Sequence, residues 1–569
     1  PAPNLFEIDG RKDVIVNALA RTLGNSYRQD ADYSTSYFAS LAALTFASAG
    51  NFASAKVLAS SALQSSNLGI AERWMMEVLA HRRIQLSRTN APSILTSCAQ
   101  LTDHALTSGY SEDFEKATAE FLRANREARE ALASSDRGLL LLWEKVLARF
   151  EELSIAKVLR DIGFPNQAYA AKLLESSSLF YPSQVYTLLN YPLIQRGEPV
   201  FITLPTSTGK SLLGELALVA SLTWQPLEHW LAVYIAPYRA LTTQILKDMR
   251  KRLRGIEIFC DMRRGGYLSE EPLLPGRRTI IIATPEAFDG LLRKNPELYS
   301  GLAACVFDEF HLIEQQQRGL RYEGLVGRFL RGASGKGWPK IVALSAAVEE
   351  TEQIEEWLQT NAIVKNDWKP TGRRIAIARL DKTIKYYTPD ETLPGDTETQ
   401  VVWQERLPVS AVNIINVALD QFGRFGSEEP VLIVANTRQS TRDLAWQLHY
   451  SLKTLPEESL ACQKAREIIQ RYPYLYTLYG CLNHGIAYHN AALPNWVRTE
   501  LEHLIRYKHL RFVVSTTTLA EGVDFPFRVV ILADWSQFWQ FGQRQPISRL
   551  LVRNIAGRGG RAWAYTEGD

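Results

Sequence analysis

Cysteine is scarce in this 569-residue chain: Cys98, Cys260, Cys305, Cys462 and Cys481 form no CxxC pair and are odd in number. A disulfide framework or zinc ribbon is therefore not expected, and a reducing, cytoplasmic compartment is. No apolar run approaches the ~18 residues that a membrane-spanning helix needs, and no signal peptide is present, so no membrane partner is expected. Low-complexity tracts are absent too. Neither sign of charge dominates, with 64 basic residues against 61 acidic ones and a net charge of +3. That balance excludes a histone-like electrostatic binder but leaves room for a local basic groove. The sequence opens on Pro1 rather than Met and stops at Asp569 in polar surroundings, which reads as a fragment, or the ordered part, of something longer.

Hydrophobic residues make up 46% and charged residues 22%, the balance of an ordinary globular protein. The length exceeds one hydrophobic core and implies about three or four domains. Residues 1–178 are rich in Ala, Leu and Ser, with apolar spacing of helical period over Ser111–Ser134 and Gly138–Leu159. They read as an all-helical N-terminal domain. Within it, Leu41–Leu63 resembles a single tetratricopeptide helix pair, or more simply a helical hairpin with an Ala-rich interface around a Gly-Asn turn.

From Pro199 the texture changes. Short β-branched runs at Val200–Leu204, Leu231–Ala236, Thr279–Ala283, Ala303–Phe307 and Ile341–Leu344 alternate with helical stretches. A second set follows at Val431–Ala435, Phe512–Ser515 and Val529–Leu532. Strands alternating with helices imply parallel sheets with crossover helices, hence two α/β domains, 179–372 and 373–569, meeting near Trp368–Arg374.

Leu204-Pro-Thr-Ser-Thr-Gly-Lys-Ser211 follows one of these strands and opens a helix, the context a phosphate-binding loop requires. Backbone N–H groups of Thr206, Ser207, Thr208 and Gly209 would face phosphates, Lys210 would neutralise them, and the Ser211 hydroxyl would meet Mg²⁺. Leu204 departs from the usual pattern, which has Gly there. Val306-Phe-Asp-Glu-Phe-His311 places Asp308 and Glu309 at a strand end, where Asp308 would hold Mg²⁺ through water and Glu309 would orient and deprotonate the attacking water. Together the two motifs imply ATP hydrolysis.

The motifs that follow in order resemble those of the Ski-like DExH-box helicases of superfamily 2, over about residues 178–569. Phe180-Tyr-Pro-Ser-Gln184 resembles the adenine-reading element, with Gln184 on the base edge. Ala236-Pro-Tyr-Arg-Ala-Leu241 and Ala283-Thr-Pro-Glu286 resemble the strand-holding loops of the first motor domain, implicating Pro237, Arg239, Thr284, Pro285 and Glu286. Asp308-Glu-Phe-His311 matches the family's name-giving motif, and Arg318-Gly319 and Glu323 its continuation. Ser345-Ala-Ala347 stands where Ser-Ala-Thr is common. Val434-Ala-Asn-Thr-Arg438 resembles motif IV, with Thr437 and Arg438 on the strand. Gly485–Leu493 resembles the Gly-to-Leu run whose His489 faces it, and Ser515–Pro526 resembles motif V. In motif V, Thr516 and Thr518 would hold nucleic acid, and Gly522 and Asp524 would meet the nucleotide. Asn554-Ile-Ala-Gly-Arg-Gly-Gly-Arg561 resembles motif VI, usually begun by Gln.

The resemblance implies two RecA-like motor domains behind the helical one, with ATP between them. Lys210 and Glu309 would lie on one wall, and Arg558 and Arg561 would act from the other on developing phosphate charge. It also implies 3′→5′ movement on single-stranded or partly duplex nucleic acid, DNA favoured over RNA. Ala347 lacks the hydroxyl thought to link hydrolysis to strand movement. Asn554 is shorter than Gln, and Asp524 keeps an acceptor where Asn is common.

In this family a strand-separating β-hairpin lies between motifs V and VI. The corresponding stretch, Trp535–Pro546, carries Phe538, Trp539 and Phe541 with Gly542 suited to a turn. These aromatics either stack on a terminal base pair or pack against a neighbouring domain. The run Arg250-Lys-Arg-Leu-Arg254 either lines a phosphate track or forms a solvated helix face, the second being favoured. Two alternatives to an unwinding motor remain. One is a remodeller or end-sensor without unwinding. The other is a subunit whose helical domain docks an effector protein such as a nuclease, as in bacterial antiviral systems of the Hachiman type, where Ski-like helicases with helical N-terminal domains also occur.

Overall fold

The computed structural model describes residues 33–127, 134–195, 198–237, 239–263, 273–314, 316–333, 339–346, 352–373, 375–378, 383–388, 401–406, 414–425, 429–517, 525–534, 536–538, 544–547, 549–565 and 567–568. The chain divides into two compact units, 1–370 and 371–569. Ala347, Thr518, Gly522, Asp524, Trp539, Phe541 and Gly542 lie outside the described residues, as do the side chains of Arg239, Arg318, Phe538 and Asn554.

The first unit begins with helices. Tyr33–Ser48 and Phe52–Ala62 form the Ala-rich hairpin, with Ala39, Ala42, Ala43, Ala47, Ala53, Ala55 and Ala59 fully buried. Such small side chains let two helix backbones approach closely. Gly50 turns the chain at φ +75°, and Asn51 caps the second helix by accepting the Ser54 N–H at 3.2 Å. Phe52 stacks on Phe150, and Trp74 packs against Trp143, tying the hairpin to the later helices. The helix expected over Gly138–Leu159 is in fact two, Ser134–Leu153 and Ile155–Asp161. Ser154 separates them because its hydroxyl accepts the Lys157 N–H at 3.3 Å, starting a new helix instead of continuing the old one. The helices pack directly on the sheet region: the Asn166 amide donates to the Thr223 hydroxyl at 3.2 Å, and the Ser54 hydroxyl to the Pro370 carbonyl at 2.8 Å.

The sheet of this unit has seven parallel strands: β1 Val200–Thr203, β2 Leu231–Ile235, β3 Phe259–Arg263, β4 Thr279–Ala283, β5 Leu302–Phe307, β6 Lys340–Ser345 and β7 Ile363–Lys365. Their order is β3-β4-β2-β5-β6-β1-β7. Five of them lie where the apolar runs are. The two edge strands, β3 and β7, are shorter or half-exposed and give no comparable run. The loops after β1, β2, β4, β5 and β6 all leave from the carboxyl edge of the sheet, where ligands bind in open α/β folds. Gly214, on the helix Lys210–Trp224, fits tightly over that sheet. A Cβ there would meet Val306 Cγ1 at 3.0 Å and Leu344 Cδ1 at 3.1 Å.

The second unit holds a four-stranded parallel sheet, β13-β14-β12-β15, built from β12 Val431–Ala435, β13 Ile486–His489, β14 Phe512–Thr516 and β15 Val529–Leu532. Its core includes Ile433, Val434, Leu448, Leu482, Val513 and Val514. Ahead of it, β9 Ile375–Ala378, β10 Thr383–Thr388 and β11 Val401–Arg406 form an antiparallel sheet that the strand pattern did not announce. A two-stranded hairpin follows, β16 Ser536–Phe538 with β17 Arg544–Pro546, and a short parallel pair joins β8 Gly372–Arg373 to β18 Glu567–Gly568. Among the described residues, no helix is long and apolar enough to cross a membrane.

Candidate nucleotide site

The loop after β1 turns through two left-handed residues, Ser207 at φ +67° and Gly209 at φ +77°. Such a conformation costs a non-glycine residue strain and recurs at ligand loops. Thr208 is fully buried, and its hydroxyl donates to the Pro205 carbonyl at 2.7 Å, closing the loop on itself. The Lys210 ammonium donates to the carbonyls of Leu204 at 2.8 Å and Pro205 at 3.1 Å. Leu204, the departure from glycine, is fully buried and extends the strand: its N–H donates to the Ser345 carbonyl at 3.3 Å. The turn therefore begins after it, and no glycine is required there. Gln184 is buried over the loop. Its amide oxygen accepts the Tyr181 N–H at 2.9 Å and its amide nitrogen donates to the Gly209 carbonyl at 3.1 Å, so both ends of the amide are engaged within the protein.

Asp308 and Glu309 follow β5. Asp308 is buried, and its N–H donates to the Ile235 carbonyl at 2.8 Å. One carboxylate oxygen accepts the Glu309 N–H at 2.9 Å and the other accepts the Tyr234 hydroxyl at 2.6 Å. Burial raises the Asp308 carboxyl above its usual range, Glu309 adds to the rise, and the Tyr234 donor opposes it. The Tyr234 phenol also contacts the Ser211 side chain, so it bridges the hydroxyl and the carboxylate proposed from sequence as Mg²⁺ ligands. Tyr322 donates to the Asp308 carbonyl at 2.8 Å and fixes the main chain. Neither tyrosine was among the sequence candidates. Tyr234 sits inside an apolar strand, and its position there just upstream of Pro237 is the one available signal.

Glu309 takes the left-handed conformation, φ +50°. His311 is buried, with Nδ1 3.5 Å from a Glu309 oxygen and 3.4 Å from the Ser345 hydroxyl. Burial lowers the His311 pKa and outweighs the pull of Glu309, so the ring is neutral at pH 7 and the contact is a dipolar one. The residues fit a nucleotide with Mg²⁺. A Cβ at Gly209 would run into the Gln184 amide, so only glycine fits that cradle, and Ser211 with Asp308 offers hard oxygen donors. Among the described residues no group of three or more His, Cys, Asp or Glu is placed to hold a metal ion.

Residues 187–355 match the DEAD/DEAH box helicase family. Curated relatives agree. The chain is 29% identical over 384 residues to the ATP-dependent DNA helicase Hel308 of Methanocella arvoryzae, covering 64% of this chain and 47% of that protein. It is 29% identical over 388 residues to Hel308 of Pyrococcus horikoshii, covering 68% and 49%, and 30% identical over 386 residues to that of Pyrococcus abyssi, covering 67% and 48%. The chain spans about half the length of these relatives. Together the likenesses support a superfamily 2 helicase.

Most of the other residues expected from sequence to meet nucleic acid fall at strand ends as well. Thr284 caps the helix Pro285–Lys294 by accepting the Ala287 N–H at 3.3 Å; Pro285 is buried, which leaves Glu286 exposed. Pro237 is half-buried. In the second unit Thr437 caps the helix Arg438–His449 by accepting the Ser440 N–H at 3.0 Å, and Arg438 is exposed beside it. Thr516, half-buried, ends β14 in register with Ala435. His489 differs from expectation. As the last residue of β13 its ring points inward, 6% exposed and 3.6 Å from Glu502, so it is not displayed to a strand. Its neighbour Asn490 donates to the Thr441 hydroxyl at 3.0 Å, joining motif IV to the following loop. Arg558 and Arg561 flank the turn after the helix Arg549–Ala556, where the Gly560 N–H donates to the Phe527 carbonyl at 3.0 Å.

The basic run is largely the solvated face expected, with Arg250, Lys251 and Arg254 exposed, and Arg252 is the exception. Arg252 forms a two-point ion pair with Glu215, which is 1% exposed, and Arg250 donates to the Cys260 carbonyl at 3.1 Å.

Proposed function

We propose that this chain is an ATP-driven helicase or translocase that moves 3′→5′ along single-stranded nucleic acid, DNA in preference to RNA. The observation that carries the reading is the convergence of Lys210, Ser211, Asp308 and Glu309 at the carboxyl ends of β1 and β5. Ser211 and Asp308 would hold Mg²⁺, which would supply charge neutralisation at the phosphates. Lys210 exchanges its loop carbonyls for phosphate oxygens. Glu309, set in its conformation by the chain and braced by neutral His311, orients a water and takes its proton. Arg558 and Arg561 stabilise charge on the transferred phosphoryl group, a role carried by the motif they occupy.

ATP turnover measured with single- and double-stranded DNA and RNA tests the reading, together with displacement of a strand from a duplex with a 3′ overhang. Turnover that no nucleic acid stimulates would refute it.

Tyr234→Phe keeps the buried ring and removes the donor to Asp308. Hydrogen bonds to charged groups are worth about 1.5–3 kcal/mol, so Mg²⁺-dependent binding of a fluorescent ADP is expected to weaken about 10-fold or more. Tyr299→Phe is the matched control, because that buried hydroxyl makes no hydrogen bond. Equal Mg²⁺ dependence in the two variants would remove Tyr234 from the site.

The β16–β17 hairpin pairs Phe538 with Arg544. Replacing Phe538, Trp539 and Phe541 together by Ala is expected to lower strand displacement about 10-fold relative to ATP turnover, the scale of lost base stacking. An unchanged ratio would assign these rings to packing.

A second reading, in which the motor restrains or licenses an effector such as a nuclease in antiviral defence, is supported by one junction. Asn166 and Tyr169 of the helical region meet the helix that carries Lys210. Co-purification with the product of a neighbouring gene tests it.

A further inference from the structure

We infer that Tyr472, Tyr474, Tyr476 and Trp496, with Arg471, form a stacking platform for the bases of a single nucleic-acid strand. The inference rests on the motor reading above and extends its track beyond the helicase motifs.

The segment after the helix Leu460–Arg471 makes one 3₁₀ turn, Pro473–Leu475, and then the short helix Tyr476–Leu482. Leu475 and Leu478 are buried, and this anchoring turns Tyr474 and Tyr476 outward, 65% and 66% exposed. Tyr472 lies between Tyr474 and Trp496, with ring centroids at 6.1 and 6.3 Å. The Arg471 guanidinium stands 4.9 Å from the Trp496 ring centre. Three aromatic side chains and one cation are thus gathered at a surface, with Tyr476 exposed two residues beyond Tyr474, and core packing requires neither exposed ring.

Position and charge select the occupant. Trp496 is the second residue of the helix Asn495–Arg506, which the loop after β13 feeds directly. The helix that opens on Tyr476, Tyr476–Leu482, packs against β13 and against the motif IV helix Arg438–His449. The cluster therefore lies at the carboxyl edge of the second sheet, beside the loops that motif IV and the Gly485–Leu493 run contribute. Residues 468–499 contain Arg471 and Arg498 and no Asp or Glu. Glu467 and Glu500, one turn from Arg471 and Trp496, are both paired with Lys464, so the exposed rings keep an adjacent arginine and suit a flexible polyanion with π-faces. Stacking of this kind is tolerant of base identity.

The test measures binding of a fluorescent oligothymidylate to the full chain by anisotropy over a range of salt concentrations. The variants are Tyr474→Ala/Tyr476→Ala, the ring-preserving Tyr474→Phe/Tyr476→Phe, and Arg471→Ala. The double Ala variant is expected to bind about 10-fold or more weakly, the scale of two lost stacks, with the salt slope retained. The double Phe variant is expected to bind as the parent does, and Arg471→Ala to reduce the slope by about one. An oligonucleotide carrying 5-iodouracil is expected to cross-link to the peptide holding Tyr474 and Tyr476. A parent chain that binds no single strand would overturn the motor reading itself. A parent that binds, with the double Ala variant binding equally well, would overturn the platform alone. Equal weakening in the Phe and Ala variants would overturn stacking as the cause. Loss of a bound protein partner with oligonucleotide affinity unchanged would assign the surface to that partner instead.

Discussion

Lys210→Ala and Glu309→Ala are each expected to lower ATP turnover by about 10²–10⁴-fold, the range for removing an electrostatic stabiliser or a general base. The two losses differ in kind. The Lys210 ammonium is tied to the loop carbonyls, at 2.8 and 3.1 Å, and brings full positive charge to the turn itself. Without it, nucleotide binding should weaken along with turnover. Glu309 stands off the loop, with its side chain 22% exposed and braced by His311. Its removal leaves the phosphate cradle intact. Glu309→Ala should therefore bind ATP as the parent does and accumulate as a long-lived ATP complex on nucleic acid. Fluorescent-nucleotide titration and a single-turnover measurement separate the cases. Turnover within tenfold of the parent in either variant would mean the site is misassigned. Glu309 also carries backbone strain at φ +50°. Glu309→Gly should relieve that strain without restoring turnover, which distinguishes a carboxylate requirement from a conformational one.

Much of this arrangement was legible in the sequence, and the reasons are physical. Buried parallel strands are continuous apolar runs, so β1, β2, β4, β5 and β6 announced themselves, and with them the sheet edge that carries the motifs. Local motifs were equally plain, since backbone conformation and the order of side chains are fixed within a few residues. Contacts between residues distant in sequence were not. Tyr234 donates to Asp308 across 74 positions, and no periodicity marks it. His489 was expected from its motif to face nucleic acid, yet β13 is buried on both faces and carries the ring inside. Ser154 broke a helix whose apolar spacing ran on through it, because one hydroxyl cap outweighed the pattern. The antiparallel strands β9 to β11 lie in a stretch of mixed polarity and gave no run to read.

The basic run Arg250–Arg254 is the clearest case of a pairing hidden from sequence, and it yields the largest expected stability effect. Arg252 meets Glu215 across 37 positions, with one bond at 2.8 Å, and Glu215 is 1% exposed. Burial alone would lower the Arg252 pKa, but the adjacent Glu215 carboxylate outweighs it and raises the value. The Tyr169 phenol beside them is held far above its usual value, by burial first and then by Glu215. Arg252→Met keeps most of the stem and removes the charge, leaving a buried carboxylate without its cation. Breaking a buried pair in this way costs about 3–5 kcal/mol. The urea midpoint of the first unit is expected to fall accordingly. The double variant Glu215→Leu/Arg252→Met removes both charges and should regain most of that loss, because apolar residues of similar volume often replace a buried pair at little cost. Glu215 lies five positions after Lys210 on one helix, so the single variant should also raise the KM for ATP by loosening the seat of the loop. If the double variant regains both stability and KM, the pair serves packing alone. If stability returns and KM does not, the charges themselves hold the helix, and hence the phosphate loop, at the angle the site needs.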